Sequence, residues 1–349
     1  MQTQINKNID KTPVSKKLFG KDAITLYIVV AFYAVYSTLI YTDTAGKQMT
    51  NMVITISCYI LMAISLNLVV GFLGELSLGH ASFMSVGAYS GSMLSVALLQ
   101  ATELPLYIRL PLAMIFGGLV AAIFGVIIGV PVLRLNGDYL AIVTLAFGEI
   151  VKNVIINLDF TGGAIGYDTK PIYSTPKTLL PYAAAAVIIA VILVINLAKS
   201  KHGRAITAVR DNKIAASATG INITYYKLMV FAFSAFIAGI AGVLWGHSLS
   251  IIKAAKFDFN MSIEILVIVV LGGMGSIRGS VIAAIILKVL PEALRAVDDY
   301  RMLIYSLLLI LMMLFNSAPQ FASLRAKLNI KNTLVYFKNK RDKKGGKVE

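Results

Sequence analysis

Apolar residues fill this chain in long unbroken runs, without the alternation of a strand or the one-sided stripe of a soluble helix. The runs cover roughly 23–41, 52–73, 81–100, 109–133, 139–157, 178–198 and 225–248. A helix needs about 20 apolar residues to cross about 30 Å of hydrocarbon, and these runs meet that length. Lipid offers no hydrogen bonds, so each run is expected to satisfy its backbone internally as an α-helix. A further apolar stretch, 262–290, is broken by Gly272-Gly-Met-Gly-Ser276, and a last span is expected over 301–317. Counting the broken stretch as two elements predicts about ten segments; counting it as one predicts about nine.

Two places depart from this pattern by being rich in Gly and Ser. One runs from Gly71 through Glu75 and His80 to Phe83 and on to Gly87 and Gly91; the other is Leu271 to Ser280. They lie in opposite halves of the chain. Paired interruptions of this kind suggest an internal repeat with broken helices at a transport pathway. Close helix packing through small residues accounts for them equally well.

A third departure is a polar island, Lys199 to Gly220, between two apolar runs. Ala205 to Ala218 predicts one helix of good helix formers, closed by Gly220 in a left-handed conformation. Small residues at Ala215 and Ala216 would let a partner surface approach, and Arg204, Arg210 and Lys213 would offer it charge. A basic amphipathic helix resting on the membrane surface is the plainer alternative.

Composition agrees with a membrane protein. Of 349 residues 58% are hydrophobic and 14% charged, where a soluble domain carries about 25% charged residues. Mean hydropathy is +0.79. The net charge of +15 is concentrated before the first span, after the last and in the island. The positive-inside rule places all three in the cytoplasm, so the number of crossings is expected to be even, which favours ten. Basic tails that flank membrane spans fit anionic lipid better than nucleic acid, and no nucleic-acid partner is expected. The expected organisation is a basic tail over 1–22, a transmembrane domain over 23–318 with its loop at 199–221, and a second basic tail over 319–349.

Candidate polar groups within the apolar runs are few. Glu149 has Lys152 and Asn153 at helical spacings of three and four, so a bracing pair is expected there, with contact to a passing zwitterion as the alternative. Thr144, Asn153, Asn67, Gly272 and Gly273 are the other expected path residues. Asn67 is expected to bond a neighbouring helix. Glu264 is expected to snorkel to the interface, and Glu75 and His80 to occupy a turn. Arg134 and Asp138, on either side of Gly137, suggest a local ion pair, with contact to a partner at the island as the alternative. The lone Cys58 excludes a disulfide within the chain. His80, His202 and His247 lack metal-ligand spacing, and no nucleophile triad or phosphate-binding loop is readable, so neither catalysis nor a cofactor is expected.

Three stretches carry a resemblance. They are Leu135–Ile150 (LNGDYLAIVTLAFGEI) with Thr161-Gly-Gly163 and Gly166, Gly203–Ile221 (GRAITAVRDNKIAASATGI), and Val270–Ser276 with Leu290-Pro-Glu292. They are similar to branched-chain amino acid permeases of the LivM type within ATP-binding-cassette importers, and the resemblance spans roughly 55–315. It implies a coupling segment that docks into an ATPase subunit, with Arg204, Arg210, Asp211, Ile214, Ala215, Ala216 and Gly220 in that role. Ile214 stands where the general coupling pattern has an acidic residue. The resemblance also implies a second, related permease, two ATPase subunits and a binding protein outside the bacterial cytoplasmic membrane. The chain would then be half of a pore, with ATP hydrolysis on other chains. Related permeases carry urea, short amides or sugars. An ion-coupled secondary transporter would leave the island without a role, and a structural scaffold would not explain the interrupted spans.

Overall fold

The computed structural model describes residues 22–42, 46–132, 135, 137–294 and scattered positions between 300 and 314. Both basic tails, the Arg134 and Asp138 side chains and most of the expected 301–317 span lie outside them. Up to Lys288 the chain forms one compact unit; residues 289–349 form a second, of which the end of one helix and helical positions between 303 and 314 are described.

The described residues are mostly helical: α1 (Asp22–Tyr41), α2 (Lys47–Asn67), α3 (His80–Thr102), α4 (Leu106–Val132), α5 (Asp138–Asn157), α6 (Pro176–Lys199), α7 (Lys201–Asp211), α8 (Lys213–Ala218), α9 (Ile223–Ser248), α10 (Phe259–Gly272) and α11 (Ile277–Ala293). Seven of these, α1 to α6 and α9, are long and apolar enough to span a membrane. The 262–290 stretch is two helices, α10 and α11, parted at the glycine-rich break.

Burial ranks the helices. The apolar window of α2 is 94% buried, while those of α1, α4, α5 and α6 are 22 to 39% buried. A helix that is apolar on every side yet exposed on one is covered by lipid, and one apolar on every side and enclosed is a core. So α2 is the central post, and α1, α4, α5 and α6 each leave an apolar flank exposed. Helices α3, α4 and α9 pack together through small residues: Gly87 of α3 faces the Gly239 backbone of α9 so closely that a Cβ would collide. Lipid tails are as apolar as leucine, and backbone approach of this sort supplies the dispersion contacts that hold such helices together.

At the end remote from the island, the 158–175 and 249–258 connections are joined by a two-stranded antiparallel ribbon, β1 (Tyr167–Asp168) on β2 (Ile251–Ile252). Thr169 reinforces it, its hydroxyl donating to the Leu249 carbonyl at 2.7 Å.

The island is two helices, not the single helix expected from Ala205 to Ala218. Asn212 takes an extended conformation between them, and its Oδ1 accepts from the backbone N–H groups of Ile214 and Ala215 at 3.0 Å each. That is an N-cap, which an asparagine side chain forms in preference to continuing a helix. Ser200 caps α7 and Asn222 caps α9 in the same way. Gly220 has φ 84°, the left-handed closure expected of it.

Candidate functional site

Helix α2 does not stop cleanly. After Asn67 it widens into a π-helical turn, Leu68–Leu73, which ends at Gly74 with φ 77°. Residues 75–79 then run without regular structure to α3. A break in a helix within a membrane protein must be tied down by neighbours, and five elements reach the segment from Gly71 to Ala81. From α5, the Thr144 hydroxyl accepts from the Leu78 N–H at 3.0 Å. From α10, the Ser262 hydroxyl accepts from the Ala81 N–H at 3.2 Å. From α7, the Arg210 guanidinium donates to the Gly71 carbonyl at 3.0 Å, and its stem lies against Gly74 where any Cβ would clash.

The other two partners reach Glu75. Its carboxylate, 5% exposed, pairs with Lys227 of α9, itself 3% exposed, and with Lys213 of α8 at 3.3 Å. A buried carboxylate is tolerable only when paired, and here two cations from separate helices hold it. Lys227 was not singled out from the sequence, although a lysine five residues into the α9 apolar run was the available signal.

The second break meets the first. Gly273 (φ 89°) and Gly275 (φ 81°) turn the chain between α10 and α11. Asn67, fully buried at the end of α2, spans the gap: its Oδ1 accepts from the Gly275 N–H at 2.8 Å and its Nδ2 donates to Ser280 Oγ of α11 at 2.9 Å. Gly71 abuts the Gly275 backbone with no room for a side chain. Gly272 packs in the same manner on Gly279. Asn67 thus bonds a neighbouring helix as expected, and the two glycine-rich regions form one junction. Asn67→Leu removes both bonds and strands the Gly275 N–H. Leaving one buried donor unpaired costs about 1–3 kcal/mol, so thermal unfolding in detergent is expected at a clearly lower temperature than wild type.

The island therefore has two faces. Gly203, Ile206 and Val209 are buried, and Arg210 and Lys213 reach the α2–α3 junction. On the opposite side Ile214 is 84% exposed, and Ala215, Ser217, Ala218 and Gly220 are exposed with it while Ala216 is buried. Arg204 and Asp211 are also exposed, Asp211 accepting from Arg210 at 3.0 Å.

Glu149 does not join this junction. It pairs with Lys152, while Asn153 Nδ2 donates to the Glu149 backbone carbonyl at 2.8 Å. Ile150 and Val154 beside them are exposed, so this stretch of α5 forms an outer flank. Glu264 does not snorkel: its carboxylate is held by Lys288 Nζ at 2.6 Å and by the Tyr59 hydroxyl at 2.8 Å. The histidines have hydroxyl or ring neighbours: His80 lies 2.7 Å from Ser65 Oγ, His247 lies 2.9 Å from Ser95 Oγ, and His202 stacks near Tyr226. Among the described residues no cluster of His, Cys, Asp and Glu has metal-site geometry.

Spans, buried broken helices and a small-residue packing core define an all-helical, multi-pass membrane protein. Residues 48–315 match the family described as branched-chain amino acid transport system / permease component, and the chain belongs to that family. It is 34% identical to the high-affinity branched-chain amino acid transport system permease protein LivM of Escherichia coli, over 93% of this chain and 79% of that protein. It is 27% identical to the corresponding LivH protein of Salmonella typhimurium, over 77% of this chain and 92% of that one. The ribose import permease protein RbsC of Haemophilus influenzae is 28% identical over 72% of this chain and 79% of that protein. No solved structure matches the chain.

Proposed function

We propose that this chain is the membrane-embedded half of an ATP-driven importer for leucine, isoleucine and valine in the bacterial cytoplasmic membrane. It works with a second, related permease, two ATPase subunits and an external binding protein, and lipid covers its flanks. The chain crosses the membrane ten times with both basic tails in the cytoplasm, and the island at 199–221 lies on that side. Support comes from family membership, from the run of spans and from the position of the basic clusters.

The observation that carries the mechanism is the two-faced island. One face offers Ile214 and its small neighbours to a partner; the other is tied through Arg210 and Lys213 to the α2–α3 junction. In this reading the ATPases engage the exposed face, with Arg204, Asp211, Ala215 and Gly220 at its edges and Ala216 packed beneath. Closure of the ATPases displaces α7 and α8. The displacement reaches the Gly71–Gly79 loop through the guanidinium–carbonyl bond and the Glu75 ion pairs, and reaches α9 through Lys227. Gly272 and Gly273 let α10 follow the movement. Thr144, through Leu78, carries it to α5, where Glu149 and Asn153 border the flank that meets the second permease. Branched-chain side chains are uncharged and apolar, so selection of them is expected to rest mainly on the binding protein.

Uptake of radiolabelled leucine, isoleucine and valine by cells lacking this gene tests the reading. Loss of all three, restored by the gene, is expected. Unchanged uptake in a strain stripped of other leucine carriers would contradict it.

A further inference from the structure

Glu264 and Lys288 are charged groups that join two helices away from the cytoplasmic junction, whereas Glu149 and Lys152 pair within one helix. Glu264 lies on α10 and Lys288 on α11, the two arms of the broken hairpin, and their side-chain atoms are 2.6 Å apart. Tyr59 of α2 completes the cluster. Its hydroxyl donates to the Glu264 carboxylate at 2.8 Å, and the Lys288 ammonium sits 3.3 Å from its ring centroid. Tyr59 falls midway along the apolar run from Lys47 to Leu73, which places the cluster near the centre of the span, where discontinuous helices of transporters commonly hold their solute.

The pair is not sealed. Glu264 keeps 35% of its side-chain surface open and Lys288 keeps 15%. A carboxylate at that depth cannot face hydrocarbon, so the open flank faces water or a polar surface. Trp245 of α9 packs on Tyr59, its ring centroid 6.0 Å from that of Tyr59, and its buried indole N–H has no partner among the described residues. A carboxylate, an ammonium and the Tyr59 ring thus converge at one point, open on one side, with the Trp245 ring packed on that of Tyr59.

We propose that Glu264, Lys288, Tyr59 and Trp245 form a transit subsite for the α-amino acid group of the solute. The inference rests on the amino acid importer reading above. In the empty state the two side chains satisfy each other. An arriving zwitterion exchanges partners with them: its carboxylate takes Lys288, its ammonium takes Glu264, and the indole N–H supplies a further bond to the carboxylate. The Tyr59 and Trp245 rings then lie beside the aliphatic side chain. Since the solute returns both charges to the pair on leaving, the site needs no proton or ion to reset.

The test uses the complete transporter in proteoliposomes, carrying wild-type chain, Lys288→Arg, or the doubly neutral Glu264→Gln/Lys288→Met. Replacing both partners of an ion pair leaves no unpaired charge and is compatible with full stability, so a purely bracing pair would tolerate the double change. The proposal expects the double variant to assemble with normal thermal stability while leucine uptake falls about tenfold or more, the size of one lost charge-assisted contact. Lys288→Arg is expected to retain more uptake than the double variant. Wild-type uptake by the double variant would overturn the subsite while leaving the importer reading intact. Should the double variant fail to assemble, a diazirine analogue of leucine photolysed in the wild-type transporter decides: labelling of the Tyr59 or Trp245 segments supports the subsite, and labelling confined elsewhere overturns it. Absence of leucine uptake by wild type would remove the importer reading, and the subsite with it.

Discussion

Glu75→Gln is expected to produce the largest loss of stability of any single polar substitution in the described chain. The substitution leaves the Lys227 ammonium, 3% exposed, without a counter-charge and unties Lys213 as well. Removing one partner of a buried pair costs about 3–5 kcal/mol, because the surviving charge is stranded. That is a large part of the about 5–15 kcal/mol by which proteins are stable. Low yield and a sharply lowered unfolding temperature in detergent should follow. Adding Lys227→Met removes the stranded charge, so the double variant should recover most of the stability. It should not recover uptake, because the Lys213–Glu75 tie to the loop is still missing. Full recovery of both stability and uptake would show that the ion pairs only brace the fold.

The second large effect is expected on the opposite face of the island. Ile214 is 84% exposed, so Ile214→Lys should leave folding almost untouched, surface changes usually staying within about 0.5 kcal/mol. A hot-spot residue at the centre of an interface, by contrast, costs about 2 kcal/mol or more when lost, and the account gives Ile214 that place. Uptake should therefore fall by about tenfold or more, and the ATPase subunits should no longer copurify with the permease. Gly220→Val should act in the same direction through backbone strain, since φ is 84° there and a β-branched residue resists that conformation. Copurification and uptake unchanged in both variants would place the ATPase contact elsewhere.

Much of this arrangement was readable from residue order. Spans are set by local composition, so all seven long helices fell within a few residues of the apolar runs. Glycine breaks are local too, and the turn at Gly272–Ser276 and the left-handed Gly220 followed from backbone chemistry alone. Asn67 was readable as an interhelical donor because a buried amide must bond something. What resisted reading was direction and long-range pairing. Arg210 and Lys213 looked like charges offered to a partner; in the fold they continue the buried Ile206 and Val209 side of the island and reach inward. Asn212 sits among good helix formers, and its choice of capping over propagation depends on where α7 and α8 must point. Glu264 looked like an interface residue because its partners are far away in sequence: Lys288 lies across the break, and Tyr59 lies in another half of the chain. Glu149 shows the reverse: its strictly local spacing to Lys152 predicted the pair correctly, yet carried no information on which flank of α5 it occupies.

The claim at the centre is that movement of the island reaches the broken α2–α3 junction through Glu75. The most direct measurement is the number of leucine molecules imported per ATP hydrolysed, in proteoliposomes holding the complete transporter with Glu75→Gln/Lys227→Met. The predicted result is a ratio several-fold below wild type in a stably assembled complex, ATP being spent without matching movement of the path. A ratio equal to that of wild type would contradict the account.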